Sequence, residues 1–116
     1  MIYDLEERTA KFGENMIDFV RSIRNDHILK PLISQIVRSS TSVGANYMEA
    51  NQASSKKDFK NKINICRKES NETKHWLRMI AKADSAHTEK CKELWKEAHA
   101  LTLIFAKISK SSSEKK

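Results

Sequence analysis

Glu69, Glu72 and His75 are the residues of this sequence whose types and spacing come nearest to a catalytic or metal-binding pattern. Spaced by three, they share one face if the segment is helical. Two carboxylates on one face can serve acid–base catalysis, and Glu-x-x-His is half of the ligand set of a bundle di-iron site. A second Glu-x-x-His is absent, as are GxSxG, GxGxxG and GxxxxGK[ST]. We therefore expect no enzyme activity, no metal and no cofactor.

The remaining histidines and the two cysteines lead to the same expectation. His27, His87 and His99 form neither HExxH nor the HxxxH pair that places two ligands on one helical face. Cys66 and Cys91 belong to no CxxC motif and fall on apolar helical stripes. We expect both to be buried free thiols in a reducing cytosol.

Positive charge is concentrated in one segment. The net charge is +7, and residues 56–84 contribute +5 of it, with nine Lys and Arg against four Asp and Glu. A basic segment can hold an acidic partner or a phosphate backbone, and it can equally be a solvated helix face. No helix-turn-helix, zinc-finger or aromatic stacking pattern accompanies it, so phosphate contacts with little sequence readout are predicted. The candidate nucleic-acid-binding residues are Lys56, Lys57, Lys60, Arg67, Lys68, Lys74 and Arg78.

A second group of polar residues lies near the middle of the chain. Such a group has two interpretations: a buried network that fixes the register of the helices, or an interaction site between subunits. We favour the network, because a buried carboxylate must be paired or it costs several kcal/mol. Its members are Arg38, Ser42, Asn46, Glu49, Glu69 and Glu72.

Four amphipathic segments must position these residues. Only two Gly and one Pro occur among the 116 residues, which excludes a turn-rich all-β protein. Apolar residues recur at spacings of three and four in helices of about 5–24, 31–51, 56–84 and 88–110. Short connections between them predict an all-α, antiparallel, up-and-down four-helix bundle. Residues 1–110 form this single domain, and 111–116 are predicted to be a disordered polar tail.

Two helices carry features that predict close packing or assembly. The second helix is rich in small residues over 39–45, which let a neighbouring helix approach. The third helix has an apolar stripe beside its core stripe, and a spare stripe indicates a contact with a second subunit. The candidate oligomer-interface residues on it are Ile65, Trp76 and Met79.

Two stretches, RSSTSVGANYMEANQASSKKDF and RKESNETKHWL, resemble a known family. It is the four-helix-bundle family encoded in intervening sequences of bacterial large-subunit (23S) ribosomal RNA genes. The family pattern matches Arg38, Ser42, Val43, Asn46 and Glu49, and continues into the third helix at Glu72, Trp76 and Leu77. The chain departs from many members at Gly44, where they have proline, and at Ala50, where they have glycine.

The resemblance implies a left-handed bundle that assembles as a homopentamer. A related protein is the accessory protein of diversity-generating retroelements, which binds a reverse transcriptase and nucleic acid. RNA binding is the usual suggestion for the intervening-sequence proteins themselves. These implications agree with the basic third helix and with its spare apolar stripe.

Two functions remain open at this stage. The first is a non-catalytic oligomer that binds RNA or other nucleic acid through its basic surface. The alternative is a scaffold that docks a partner enzyme such as a reverse transcriptase. The charged N-terminus differs from a signal peptide, and no apolar run reaches the roughly 20 residues of a membrane span. We therefore expect a cytoplasmic protein without a membrane partner.

Overall fold

Four helices account for most of the chain. A computed structural model describes residues 4–114, and its helices are α1 (Leu5–Arg21), α2 (Leu29–Asn51), α3 (Lys56–Ala83) and α4 (Thr88–Glu114). A short 3-10 turn at Ser85–His87 joins α3 to α4. The predicted all-α fold is confirmed, and all four helices are present.

The connection between α1 and α2 is longer than the sequence suggested. Helix α1 ends at Arg21 rather than at residue 24, because the N–H and the hydroxyl of Ser22 both donate to Phe19 O, at 3.0 and 2.6 Å. Helix α2 begins at Leu29 rather than at residue 31. The reason is a side-chain cap: Asp26 Oδ1 accepts the Leu29 N–H at 2.8 Å.

Helix α4 extends further than predicted. It continues to Glu114, whereas the sequence suggested an end at residue 110 and a disordered tail over 111–116. Contacts with α3 account for the extra turn: Ser109 Oγ donates to Asn64 Oδ1 at 2.7 Å, and Lys60 Nζ donates to Ser113 Oγ. The rest of the predicted tail, residues 115–116, lies outside the described residues.

Successive helices run antiparallel. Arg8 of α1 pairs with Glu97 of α4 at 2.8 Å and closes the up-and-down arrangement. In each pair of consecutive helices, a contact further along the first helix is a contact further back on the second, as antiparallel packing requires. The contacts that show this are Thr9–Gly44 and Gly13–Thr41 for α1 and α2, Ser39–Thr73 and Glu49–Lys62 for α2 and α3, and Asn64–Ser109 and Lys74–His99 for α3 and α4.

The core is apolar, and α1 contacts α2 closely at Gly44. All four helices contribute to it, and its largest fully buried side chains include Phe12, Met16, Ile63 and Phe105. A Cβ atom added at Gly44 would lie 3.4 Å from Thr9 Oγ1. The small residues of α2 therefore pack closely against α1, as their composition predicted.

Candidate nucleic-acid interface

The surface line between α3 and α4, hereafter the α3–α4 seam, carries most of the candidate cations. It runs from Lys56 and Lys107 at one end to Arg78 and Lys92 at the other. Three grooves follow one another along it, and no carboxylate among the described side chains lines any of them. The cations that line these grooves are Lys56, Lys107, Arg67, Lys68, Arg78, Lys92 and Lys96.

The described carboxylates of α3 and α4 lie outside the three grooves because of their positions in the sequence. Asp58, Glu69 and Glu72 are the acids of α3, and spacings of eleven and three place them together on the side that meets α2. On α4, Glu97 turns to α1, where it accepts hydrogen bonds from Arg8 at 2.8 and 2.9 Å. The Glu89 carboxylate lies 3.6 Å from Lys92 Nζ.

Two of the predicted cations are already engaged within the seam. Lys60 donates to Ser113. Lys74 Nζ lies 3.0 Å from His99 Nδ1 and 5.1 Å from the centroid of the Trp95 ring. The exposed members of the predicted set are Lys56, Lys57, Arg67, Lys68 and Arg78.

Sequence reasoning missed the contribution of α4. Lys92, Lys96 and Lys107 line the same grooves as the bases of α3, although they are far from them in sequence. An antiparallel neighbour brings the end of α4 beside the start of α3, so charges on both helices add. The missed signal was the spacing of Lys92, Lys96 and Lys107, which places all three on one side of α4.

An aromatic pair also lies on the seam, near its Arg78–Lys92 end. The rings of Trp95 and His99 stack with centroids 4.9 Å apart and planes 18° apart. The side chain of Trp95 remains 39% exposed. The sequence showed no aromatic stacking pattern in the basic segment, because this ring belongs to α4 and joins the α3 cations only in the fold.

The predicted six-residue network is divided in the structure. Arg38 reaches Glu69 at 3.2 Å and also binds Glu72, which accepts the Trp76 indole N–H at 2.9 Å. We call these four residues the Arg38 cluster. It is not buried, since the Arg38 side chain is 45% exposed. Its position at the edge between α2 and α3 explains this, because long side chains keep their charged ends in water.

The other members of the predicted network have separate partners. Ser42 Oγ donates to Arg38 O at 2.7 Å, and Asn46 Nδ2 donates to Ser42 O at 2.9 Å, both within α2. Glu49 pairs with Lys62 at 2.7 Å, and this hydrogen bond raises the pKa of the Lys62 ammonium. Three of the six side chains bind one another, two bond to the backbone of α2 and one pairs with Lys62, so the six do not form the buried network that the sequence predicted.

The predicted oligomer stripe is partly exposed. Ile65, Trp76 and Met79 are each half-buried on the α2 side of α3. Trp76 also packs against the core and contacts the His75 ring at 4.8 Å. The large apolar side chains with the greatest exposure among the described residues lie elsewhere, at Ile28, Met48, Trp95 and Leu103.

The two thiols are protonated near pH 7, and the described residues hold no metal-binding cluster. Cys66 and Cys91 are both buried, and burial raises the pKa of Cys66 to about 12 and that of Cys91 to about 11. Within residues 4–114, no three His, Cys, Asp or Glu side chains come together as a metal site would require. None of the helices in this range combines the length and the apolar character of a membrane span.

The sequence model of the 23S rRNA-intervening sequence proteins matches residues 4–107, which include α1, α2, α3 and most of α4. The chain belongs to the 23S rRNA-intervening sequence protein family. The predicted resemblance is thereby confirmed. The match includes every candidate site residue of α2 and α3, as well as Trp95 and Lys107 at the α3–α4 seam.

A solved structure supports the same assignment for this member of the 23S rRNA-intervening sequence protein family. A protein of unknown function from the S23 ribosomal protein family of Bacteroides thetaiotaomicron is similar to it, with a TM-score of 0.82 and 30% sequence identity. The alignment covers 90% of this chain and 94% of the other. None of the curated proteins matches the sequence significantly.

Proposed function

We propose that this protein is a non-catalytic, self-assembling bundle that binds RNA or other nucleic acid along the α3–α4 seam. The observation that carries the proposal is the charge of that surface: three consecutive grooves are lined by cations and by no carboxylate among the described side chains. Its membership of a family named for an intervening sequence in 23S rRNA supports the same ligand class.

The chemistry of the seam favours phosphate as the ligand. A row of Lys and Arg without nearby carboxylates keeps its positive potential, whereas paired cations are neutralised locally. Arg78 and Lys96 make no hydrogen bond or ion pair within residues 4–114. The molecule is 50 Å along its longest axis, so one seam can lie beside several successive phosphates.

Assembly would multiply this effect. The family resemblance implies a homopentamer, and the half-buried stripe of Ile65, Trp76 and Met79 on the α2 side of α3 is the surface we assign to subunit contacts. That stripe lies away from the α3–α4 seam, so both surfaces can be used together. Several seams in one particle would then bind one nucleic acid with avidity. We place this complex in the cytoplasm.

Salt dependence is the direct test. We expect the affinity for a structured RNA, measured by fluorescence anisotropy, to fall linearly on a log–log plot as salt rises, with a slope of about −0.9 for each neutralised phosphate. The variant Arg67→Gln should reduce that slope by about 1. The control Lys11→Gln makes the same change of charge on α1 and should leave the slope unchanged. Undetectable or salt-independent binding would refute the proposal.

The alternative is a scaffold that docks a partner enzyme such as a reverse transcriptase through the stripe. The observation that favours this alternative is that Trp76, a member of the Arg38 cluster, and Met79 are only half-buried. We expect Trp76→Asp to reduce the particle mass in light scattering if the stripe joins subunits. An unchanged mass, together with loss of a captured polymerase, would favour the scaffold instead.

A further inference from the structure

We propose that the third groove of the α3–α4 seam binds an unpaired nucleobase, which stacks on the free side of the Trp95 ring. This inference rests on the proposed function and sharpens it: the preferred ligand of the seam would be single-stranded nucleic acid. The groove, hereafter the Trp95 slot, lies between the end of α3 and the start of α4 and has a volume of about 410 Å³.

The two sides of the Trp95 ring have different neighbours. His99 covers one side in a stacked arrangement, and Lys74 lies close to both rings. The slot is lined by Trp95 and by Cys91, one turn earlier on α4, but by neither His99 nor Lys74. The slot is therefore lined by Trp95 but by neither of the two side chains that contact its ring, and we assign the uncovered face of the ring to the wall of the slot.

The floor of the slot is apolar and uncharged. Leu77 and Ala81 of α3 form it together with Cys91 of α4. Burial raises the pKa of the Cys91 thiol to about 11, so the sulfur stays protonated and neutral near pH 7. Besides the cations and Trp95, hydrogen-bonding groups in the lining are the weakly bonding Cys91 thiol and the Thr88 hydroxyl, which already donates to Ser85 O at 2.9 Å, so little is left to read the edge of a base. Stacking on such a surface tolerates any base, as in other single-strand binding sites.

The rim of the slot is cationic. Arg78 of α3 and Lys92 and Lys96 of α4 line it. Lys92 has one carboxylate nearby, that of Glu89 at 3.6 Å, while Arg78 and Lys96 have none within residues 4–114. An aromatic wall with a cationic rim suits a nucleotide, whose planar base carries a phosphate on each side. Stacked bases with backbone contacts to Lys and Arg are the usual pattern for single strands.

The slot is tested by measuring the affinity for three nucleic acids of equal length. They are a single-stranded oligothymidylate of about 20 nucleotides, the same strand with abasic sites throughout, and a duplex. All three keep the phosphates, and only the first offers free bases. We expect the wild-type protein to bind the oligothymidylate most tightly. Trp95→Ala should weaken that binding by about 5- to 150-fold, the effect of losing one base–aromatic stack. Its binding to the abasic strand should not change.

Three further variants make the result specific. Trp95→Phe keeps an aromatic wall and should retain most of the preference for free bases. Ala81→Phe fills the slot from its floor and should abolish the preference while leaving Trp95 in place. Leu103→Ala removes an exposed apolar side chain of the same helix outside the slot and should have no effect. Thermal melting followed by circular dichroism identifies any variant that has lost the fold.

The outcomes separate this inference from the proposed function. Equal, salt-dependent binding of all three strands, unchanged in Trp95→Ala and Ala81→Phe, would overturn the slot and leave the phosphate-binding function intact. Absence of binding to every strand at about 50 mM salt would refute both. An acidic amphipathic peptide that binds more tightly than oligothymidylate and competes with it at Trp95 would assign the slot to a protein partner and overturn the proposal.

Discussion

The two sides of helix α3 differ in how their charges are balanced. On the side of α2, hereafter the α2–α3 seam, Glu69 and Glu72 bind Arg38, and Lys62 binds Glu49. On the side of α4, Arg78 and Lys96 meet no carboxylate within residues 4–114, and Lys92 meets that of Glu89. The two glutamates of α3 therefore form ion pairs with α2, whereas the Lys and Arg side chains of α3 that line the grooves lie on the side of α4.

Net charge alone is therefore a poor guide to the position of a binding surface. The groove between α1 and α4 also contains bases, but Asp4, Glu7, Glu93 and Glu97 line it with them. Opposite charges at such distances cancel the potential that a phosphate would meet. The α3–α4 seam differs because no carboxylate among the described side chains lines its three grooves.

Reversing charge on the seam should have the largest effect. The triple variant Arg67→Glu, Arg78→Glu and Lys96→Glu places carboxylates where none now lies. We expect the affinity for RNA at low salt to fall by about 100-fold or more, because phosphates are then repelled. Anisotropy titration measures it.

The matched control for that triple variant changes net charge equally on α1 and α2. Lys11→Glu, Arg21→Glu and Lys30→Glu alter three exposed bases, none of which lines a groove of the α3–α4 seam. Little loss of affinity is expected, beyond a general electrostatic effect. Equal losses in the two triple variants would show that total charge, rather than the seam, determines binding.

Removing a single arginine should distinguish the two seams by stability. Arg38→Ala leaves Glu69 and Glu72 beside each other without their cation, so we expect the free energy of unfolding to fall by about 1–2 kcal/mol. Arg78→Ala removes a side chain without an ionic partner and should change stability by less than about 0.5 kcal/mol. Urea denaturation of both variants measures the difference, and similar losses would contradict the comparison.

The two thiols report on the two seams separately. Cys66 donates a hydrogen bond to Val43 O at 3.5 Å beneath α2, while Cys91 lines the Trp95 slot. Burial raises the pKa of Cys91 to about 11 and that of Cys66 to about 12, so Cys91 has more thiolate at the same pH. We expect a disulfide reagent to label Cys91 faster than Cys66, and both rates to rise with pH. Faster labelling of Cys66 would show that α2 opens first.

The same thiols give stability a pH dependence of known sign. Burial raises both pKa values in the folded protein, whereas in the unfolded chain a thiol ionises near pH 8.5. Above about pH 8.5 the unfolded chain therefore loses protons that the folded protein keeps, and stability falls as pH rises towards 11. Cys66→Ala with Cys91→Ala should reduce this fall in urea denaturation above pH 8.5, and an unchanged pH profile would contradict the assignment.

The fold could be predicted because its signals are local. Apolar residues at spacings of three and four define each helix, and the scarcity of glycine and proline leaves little room for another class. The helix ends that differed depend on particular tertiary or capping contacts. Asp26 reaches forward to cap α2, and Ser109 and Ser113 attach the last turns of α4 to α3.

Only the α3 half of the candidate interface could be predicted from the sequence. The bases of α3 are adjacent in sequence, so their excess charge was visible. Trp95 and Lys96 belong to another helix, and their place beside Arg78 follows from the register of the α3–α4 packing. The polar network failed for a related reason: six polar residues at suitable spacing do not reveal which of them bond to their own helix, as Asn46 does.

The smallest expected difference concerns the hydrogen bonds across each seam. Ser39 Oγ and Thr73 Oγ1 lie 2.8 Å apart in the fully buried contact of α2 with α3. Ser109 Oγ donates to Asn64 Oδ1 at 2.7 Å, but Asn64 is half-buried at the edge of the second groove of the α3–α4 seam.

Replacing each serine by alanine compares these two bonds. Ser39→Ala should cost about 1 kcal/mol, because water cannot reach Thr73 to replace the lost partner. Ser109→Ala should cost about half as much or less, since water can take its place at Asn64. The midpoints of urea denaturation measure both. Equal losses in the free energy of unfolding would show that water reaches the α3–α4 seam no better than the α2–α3 seam. The cations of the α3–α4 seam would then be less accessible to a phosphate than its grooves suggest.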